Sequence, residues 1–574
     1  MSPGGRSGAP QPVSSAEMPD HRPVVTSARL IAVCTLASRV AGMARDMLLS
    51  QTFGLSGVFD AFNYAFQIPN LFRRLFGEGA LAAAFVPVFT RTLEKDGRPA
   101  AWRLLARVLA LLSIALLALI VVVQSLVLIV WIFGPQTTPQ EVETRQLLLK
   151  LTAWMAPFML TICVVALFSS VLNCLGSFVP AALMPIVLNA AMIVGIVVVG
   201  PLLGDASQLD RQVFGVAWMV LAAGVLQIAL LVPVLRRHGV RLGWKLDTRD
   251  PNVRRVLGLM GPVLLGQGVL VLGPFLDSQL CWLLSRIEGG AAGGRFLGFT
   301  FDYPLQAGAL SALTNAQRLY QFPLGVLAIS LAIAVLPLLT RLATRDDWAA
   351  WTDEFVRTLR LSIFAGLLAG AMMVVWSAPI VRLLFEYRRF DAQDTLRVAA
   401  VMGWYGLGLW AFCAQHIVVR GFYSLGDVRT PLAISCALLP ANLLISLALV
   451  WLPGVRESAF AIASVSTSTV SVLVGLWLLQ RRTGARLLTS RFAAAAARML
   501  LAAVAGAALL HFLAGPWCVW LAASLKATWM SRAVETLLGL GIGAGAVLVA
   551  AALLGLPEPK LWLWRGRTPP RTGA

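Results

Sequence analysis

Runs of about 20 predominantly apolar residues, the length that crosses a bilayer as a helix, recur fourteen times between residues 27 and 556. The first lies near 27–50, the second near 62–90, the seventh near 256–284, the eighth near 314–339, and the last two near 493–514 and 535–556. Short polar segments separate them. This pattern predicts an all-α polytopic membrane protein. Residues 1–24 are rich in Pro, Ser and Gly without an apolar run and are expected to be a disordered tail. The first apolar run is long and interrupted by arginines, so a cleaved signal peptide is not expected.

Charge in the connecting segments sets the orientation. Arg236, Arg237, Arg241, Lys245, Arg249, Arg254 and Arg255 fall between spans six and seven, and Arg481, Arg482, Arg486, Arg491 and Arg498 between twelve and thirteen. The opposite loops, near 134–144 and 203–212, are poor in Lys and Arg. By the positive-inside rule both termini are expected to be cytoplasmic.

The pattern also repeats. Val86-Pro-Val-Phe-Thr-Arg91 ends span two, and Leu336-Pro-Leu-Leu-Thr-Arg341 ends span eight, 250 residues later. Leu175-Gly-Ser-Phe-Val-Pro180 between spans four and five has its counterpart in Leu425-Gly-Asp-Val-Arg-Thr-Pro431 between ten and eleven. Six spans separate the copies, so the repeats are parallel, one of the two repeat types of secondary transporters. The expected organisation is an N-terminal six-helix lobe over 25–238, a C-terminal six-helix lobe over 239–482, helices thirteen and fourteen over 483–560, and a basic cytoplasmic tail over 561–574. A Gly-rich insertion at 287–306 lengthens a periplasmic loop.

Composition narrows the class. The 574 residues are 58% hydrophobic and only 13% charged, against about a quarter charged in soluble domains. The net charge of +20 sits in short loops between spans and reads as topology rather than nucleic-acid binding. Seven scattered cysteines form no CxxC, and the four histidines are dispersed, so neither a disulfide framework nor a metal cluster is implied. No P-loop, HExxH or GxSxG in a strand-turn-helix context is present. ATP bound to this chain is therefore not the expected energy source, and no catalytic role is expected.

Charges inside the spans are the candidate functional residues. A charge at the centre of a membrane helix costs roughly 2.5–3.5 kcal/mol on insertion scales, so it faces a cavity, a partner or a substrate. Arg39 lies about 18 Å along the first helix, at ~1.5 Å per residue, close to mid-membrane. Arg45 follows, with Asp46 and Asp60 as possible ion-pair partners. Pro69-Asn70 predicts a break before Arg73 and Arg74. These adjacent arginines point about 100° apart, so one of them faces any cavity. Glu78, between Gly77 and Gly79, is a candidate counter-ion. Arg318 heads span eight. Asp277 in span seven pairs with a cavity arginine, takes a proton or binds a cation. The polar run Ser464–Thr469 predicts helix–helix hydrogen bonding. Several arginines with few acids point to an anion site.

The segments Ser38-Arg-Val-Ala-Gly-Met-Ala-Arg-Asp46, Asp60-Ala-Phe62, Pro69-Asn-Leu-Phe-Arg-Arg-Leu-Phe-Gly-Glu-Gly-Ala80, Arg318-Leu-Tyr-Gln-Phe-Pro-Leu-Gly-Val326 and Gly421-Phe-Tyr-Ser-Leu-Gly-Asp-Val-Arg-Thr-Pro431 resemble the MurJ/MviN lipid II flippases of the multidrug/oligosaccharidyl-lipid/polysaccharide exporter superfamily. The resemblance spans about residues 25–560. It implies two six-helix lobes around a central cavity, with a groove by the last two helices for a polyprenyl tail. It implies substrate-binding roles for Arg39, Arg45, Arg73 and Arg318 and supporting or gating roles for Asp46, Asp60 and Glu78. Some family members bind sodium partly through an acid in the seventh helix, where Asp277 is similarly placed; sodium or a proton is thus the coupling ion the resemblance leaves open.

The implied activity is export of lipid II, an undecaprenyl-pyrophosphate-linked glycopeptide, across the bacterial inner membrane. Membrane lipids and the cell-wall synthesis and division machinery are the implied partners. Where the family commonly has an acid before the arginine of span eight, this chain has Gln317. A flippase for another polyprenyl-pyrophosphate glycan, a cation-coupled multidrug exporter, and an integral-membrane transferase using His416 and Arg420 are the rival readings.

Overall fold

The computed structural model describes the backbone of residues 22–133, 138–241, 243–287, 293–296, 299–523 and 528–563. Among these, eleven helical runs are long and apolar enough to cross a membrane. Three further long runs complete the fourteen spans the sequence predicts. They are Arg22–Phe53, the composite Gly57–Phe72, Arg73–Ala80 and Leu81–Lys95, and Pro251–Leu283. These occupy the first, second and seventh positions, where the intramembrane charges lie.

Packing separates the lobes. One apolar core runs from Leu49 to Val256, with Phe59, Phe85, Phe89 and Phe158 fully buried. A second runs from Cys281 to Ala461 and takes Met47, Leu55 and Tyr64 of the N-terminal half against its edge. A third includes Trp351, Phe355 and Trp376 of the C-terminal half with Met499, Ala502, Leu510 and Val547 of the last two spans. The last two helices are therefore fastened to the C-terminal lobe.

The repeat is visible in backbone detail. Gly176 and Gly426 both end a helix with positive φ, +77° and +73°, a conformation that costs glycine nothing. The following amide closes the same turn in each copy, Ser177 N to Leu172 O at 2.8 Å and Asp427 N to Phe422 O at 3.0 Å. A second correspondence lies in the membrane. Spans two and eight both switch to π-helix, at Arg73–Ala80 and at Gly325–Ile329, positions that overlap at the same 250-residue offset. The helix break expected at Pro69 is absent: Gly57–Phe72 runs through the proline. The irregularity comes just after it, where a π-turn absorbs an extra residue without interrupting the helix.

The 287–306 insertion, expected as a loop, contains an antiparallel hairpin of β1 (Gly293–Phe296) and β2 (Phe299–Asp302). Phe301 packs edge-on against Trp451 at 5.7 Å. This holds the hairpin to the loop between spans eleven and twelve.

In the cytoplasmic loop after span ten, Asp427 caps the next helix. Its Oδ1 accepts from Arg429 N and Thr430 N, both at 3.0 Å, and its Oδ2 pairs with Arg482. Burial alone would raise its pKa, but the Thr430 hydrogen bonds and the Arg482 charge hold it below the usual carboxylate range. A depressed folded pKa stabilises the fold above the unfolded value of about 4 and loses that contribution as pH falls through the folded one. Asp427→Ala is therefore expected to cost about 1 kcal/mol. Thermal unfolding in detergent checks this, and the deficit against wild type should shrink as pH is lowered through the carboxylate range.

Candidate functional site

The second and eighth spans carry facing polar stripes. On span two, Asn63, Gln67, Asn70 and Arg74 fall at i, i+4, i+7 and i+11; on span eight, Thr314, Gln317, Arg318 and Gln321 fall at i, i+3, i+4 and i+7. Each set shares one helix face. Both stripes, with Phe275 and Ser278 of span seven, line a cavity between the lobes. The arginine that reaches it from span two is Arg74. Arg73, the residue expected there, turns aside and donates from Nε to Asn70 Oδ1 at 2.9 Å. The 100° step between neighbours decides which one faces in, and the spacing from Asn63 and Gln67 already selects Arg74.

Asp46 connects the lobes at this level. Its Oδ1 accepts from Arg45 Nε and Nη2 at 2.8 and 2.7 Å and forms an ion pair with Arg318 of the opposite lobe. Asn189 of span five steadies the cluster from behind, accepting from Arg45 Nη1 at 2.8 Å and donating to Ser38 O at 3.1 Å. Arg45 thus pairs with Asp46, whereas Asp60 is used elsewhere. One carboxylate serves two guanidinium groups, so the cluster is net positive with Arg74 nearby on the cavity wall. Arg39 is exposed, and no carboxylate pairs with it among the described residues. Its guanidinium lies over the π-turn of span eight so closely that a Cβ on Gly325 would come within 3.2 Å of both terminal nitrogens. Glu78 has a side chain outside the described residues.

Asp60 fastens the periplasmic end. Its oxygens accept from Gly308 N at 2.8 Å, Ser311 N at 2.7 Å and Ser311 Oγ at 2.6 Å. An N-lobe carboxylate thereby caps the first turn of a C-lobe helix, where free amides and the helix dipole favour negative charge. Asn63 donates to Ser311 Oγ and Asn315 to Ser50 Oγ, both at 3.0 Å. Leu55 N donates to Asp394 Oδ2 at 3.1 Å. These contacts close the lobes on the side opposite the basic loops.

Among the described residues, Asp277 meets no arginine. It is buried and accepts from Asn442 Nδ2 at 2.7 Å and Ser464 Oγ at 3.5 Å, with Thr467 Oγ1 reaching Asn442 Oδ1 at 3.4 Å. Part of the polar run in span twelve thus contacts this carboxylate rather than only its neighbouring helices. Asn442 turns its amide nitrogen to the carboxylate and its oxygen to Thr467, so the four side chains form one hydrogen-bonded polar cluster. Gln317 Nε2 donates to Tyr405 Oη at 3.3 Å. Asn189, Asn442 and Ser311 were not singled out by the sequence; the first two announce themselves only as lone amides in apolar spans.

Comparisons with known proteins agree with this architecture. The family model described as lipid II flippase MurJ matches residues 49–528. The chain is 31% identical over 442 residues to the probable lipid II flippase MurJ of Rhizobium meliloti, covering 77% of each protein. It is 30% identical over 411 residues to the lipid II flippase MurJ of Burkholderia cenocepacia, covering 71% of this chain and 74% of that one. Among solved structures, a lipid II flippase MurJ in an inward closed conformation superposes with a TM-score of 0.67 at 20% identity, over 92% of this chain and 99% of that one. An inward-facing multidrug resistance MATE family transporter of the MOP superfamily superposes with a TM-score of 0.63 at 13% identity, over 79% and 98%.

Removing the shared carboxylate leaves Arg45 and Arg318 facing one another uncompensated, and breaking a buried pair this way costs roughly 3–5 kcal/mol. Asp46→Ala is expected to lower the unfolding temperature in detergent. Added pyrophosphate should restore more stability to this variant than it adds to wild type, and equal shifts in the two proteins would rule out anion exchange at the cluster.

Proposed function

The chain belongs to the lipid II flippase MurJ family, and we propose that it carries the lipid II headgroup between its lobes by binding the pyrophosphate on Arg39, Arg74 and Arg318. It is a multi-pass protein of the bacterial inner membrane that moves lipid II for cell-wall synthesis. The observation that carries the binding mode is that Arg74 and Arg318, from opposite lobes, line one cavity while Arg318 shares the Asp46 carboxylate with Arg45. Guanidinium groups give bidentate, charge-assisted hydrogen bonds to phosphate oxygens. An incoming pyrophosphate competes with Asp46 for Arg45 and Arg318. Arg73 acts one step back, oriented by Asn70.

Alternating access follows from the two ends. With Asp60 capping span eight, the periplasmic side is shut and the headgroup enters from the cytoplasm while its polyprenyl tail stays in the bilayer. Rocking of one lobe against the other then releases the Asp60 cap and exposes the headgroup outside. Outward movement of each negative charge across an inside-negative potential is favourable by about 2.3 kcal/mol per 100 mV. Sodium or a proton held by Asp277, Asn442, Ser464 and Thr467 supplies a second driving force when bound. The cargo leaves chemically unchanged, so the reading is transport rather than catalysis. A cavity built on arginines disfavours cationic drugs, which sets this chain apart from the drug exporters sharing its fold.

Arg39→Ala, Arg74→Ala and Arg318→Ala are each expected to lower lipid II translocation in proteoliposomes by roughly 10- to 100-fold, with Arg318→Lys only partly active because it loses the bidentate fork. Normal translocation by folded Arg74→Ala and Arg318→Ala proteins would sink the binding mode.

Asp277→Asn is expected to abolish stimulation by an imposed sodium or proton gradient while potential-driven transport persists. Undiminished gradient dependence in that variant would remove the carboxylate from coupling.

A further inference from the structure

The guanidinium groups account for only part of the cavity. Beside them stands a neutral wall whose polar atoms lack partners. Gln67 Oε1 and Thr314 Oγ1 are both shut off from solvent and without a hydrogen-bond partner among the described residues, and both residues line the cavity. They come from opposite lobes, Gln67 on span two and Thr314 on span eight. Gln67 and Gln317 are 250 residues apart, the spacing of the repeat, so they are the same position in the two lobes. Gln317 has its amide nitrogen directed at the Tyr405 hydroxyl, which leaves its carbonyl oxygen as an acceptor.

Buried polar groups of native proteins are nearly always hydrogen-bonded, and a specific exception calls for an explanation. Charge does not explain this one. A carboxamide and a hydroxyl neither neutralise an anion nor hold a metal by themselves. Both donate and accept, which complements the hydroxyl and acylamino groups of a sugar. The placement is also suitable. Gln317 and Arg318 are adjacent, and Thr314 lies one turn from Arg318 on the same face. A group that hydrogen-bonds this wall lies beside whatever Arg318 holds.

We propose that Gln67, Thr314 and Gln317 form a glycan-reading subsite, hydrogen-bonding the uncharged groups of the sugar that follows the pyrophosphate. The inference rests on the lipid II reading and deepens it: the arginines supply affinity for the anion, and the neutral wall distinguishes a glycan-bearing lipid from its bare polyprenyl pyrophosphate carrier. Such a difference is functionally useful, since the carrier without sugar presents the same anionic group to the same arginines. A site built to hydrogen-bond a substrate hydroxyl rejects an analogue lacking it, because its own polar atoms are left unpaired. The identity of Gln317 then gains a reason. A carboxylate there would only accept, whereas the amide also donates to Tyr405 and carries no charge beside the pyrophosphate.

The test compares two ligands on the full-length protein in nanodiscs, lipid II and undecaprenyl pyrophosphate. Wild type is expected to prefer lipid II. Gln67→Leu, Thr314→Val and Gln317→Leu should each weaken lipid II binding by roughly 3- to 10-fold, the worth of one neutral hydrogen bond, while undecaprenyl pyrophosphate binding stays unchanged. Thr314→Val preserves shape and keeps the test decisive where a glutamine variant does not fold. Equal losses for both ligands, or no loss for either, would overturn the subsite. A wild type that binds neither ligand would instead overturn the lipid II reading, and the two failures are thus distinguishable.

Discussion

A single carboxylate held between guanidinium groups of two lobes organises this protein. Asp46 takes Arg45 from its own helix and Arg318 from the other half of the molecule. In the low-dielectric centre of a membrane no one of these charges is tolerable alone. Their mutual satisfaction therefore fixes how the lobes sit against each other. Because two cations share one anion, the local charge balance is incomplete. Adhesion between the lobes and the proposed binding mode thus share Arg318.

The same logic operates at the periplasmic end without a paired charge. Asp60 is satisfied by two backbone amides and a hydroxyl at the start of span eight. This cap exists only while the lobes meet there. Between the cap and the Asp46 cluster, the facing stripes of spans two and eight line the cavity between the lobes. Below them both spans pass through a π-turn at equivalent places in the repeat. Arg39 lies directly on the second of these turns, so the first span touches the irregular part of the eighth.

Sequence and structure differ instructively at three places. Pro69 reads as a helix break, yet the helix passes through it and the distortion appears in the π-turn that follows; a proline's lost hydrogen bond is accommodated locally when neighbours hold the helix. The adjacent Arg73 and Arg74 were separable by the stripe from Asn63 onward, since a polar face on an apolar span keeps its phase. Asp277 was ambiguous between an arginine and a cation, and no spacing along the chain settles which helix lies opposite. Its neighbours prove to be Asn442 and Ser464, residues 165 and 187 positions away.

What the chain determined by itself was everything governed by local period and by the bilayer. The fourteen spans, their orientation and the parallel repeat all follow from hydropathy, charge asymmetry and a 250-residue spacing. The intramembrane arginines followed too, because a charge in an apolar run is conspicuous wherever it lies. Only the tertiary structure decided which charges meet. Asp46 joins Arg318 across 272 positions, and Asp60 caps a helix that begins about 250 residues later. Such pairings depend on how two lobes pack, and packing is a property of surfaces brought together from distant segments. Periodicity specifies the face each helix offers, but not the face it meets.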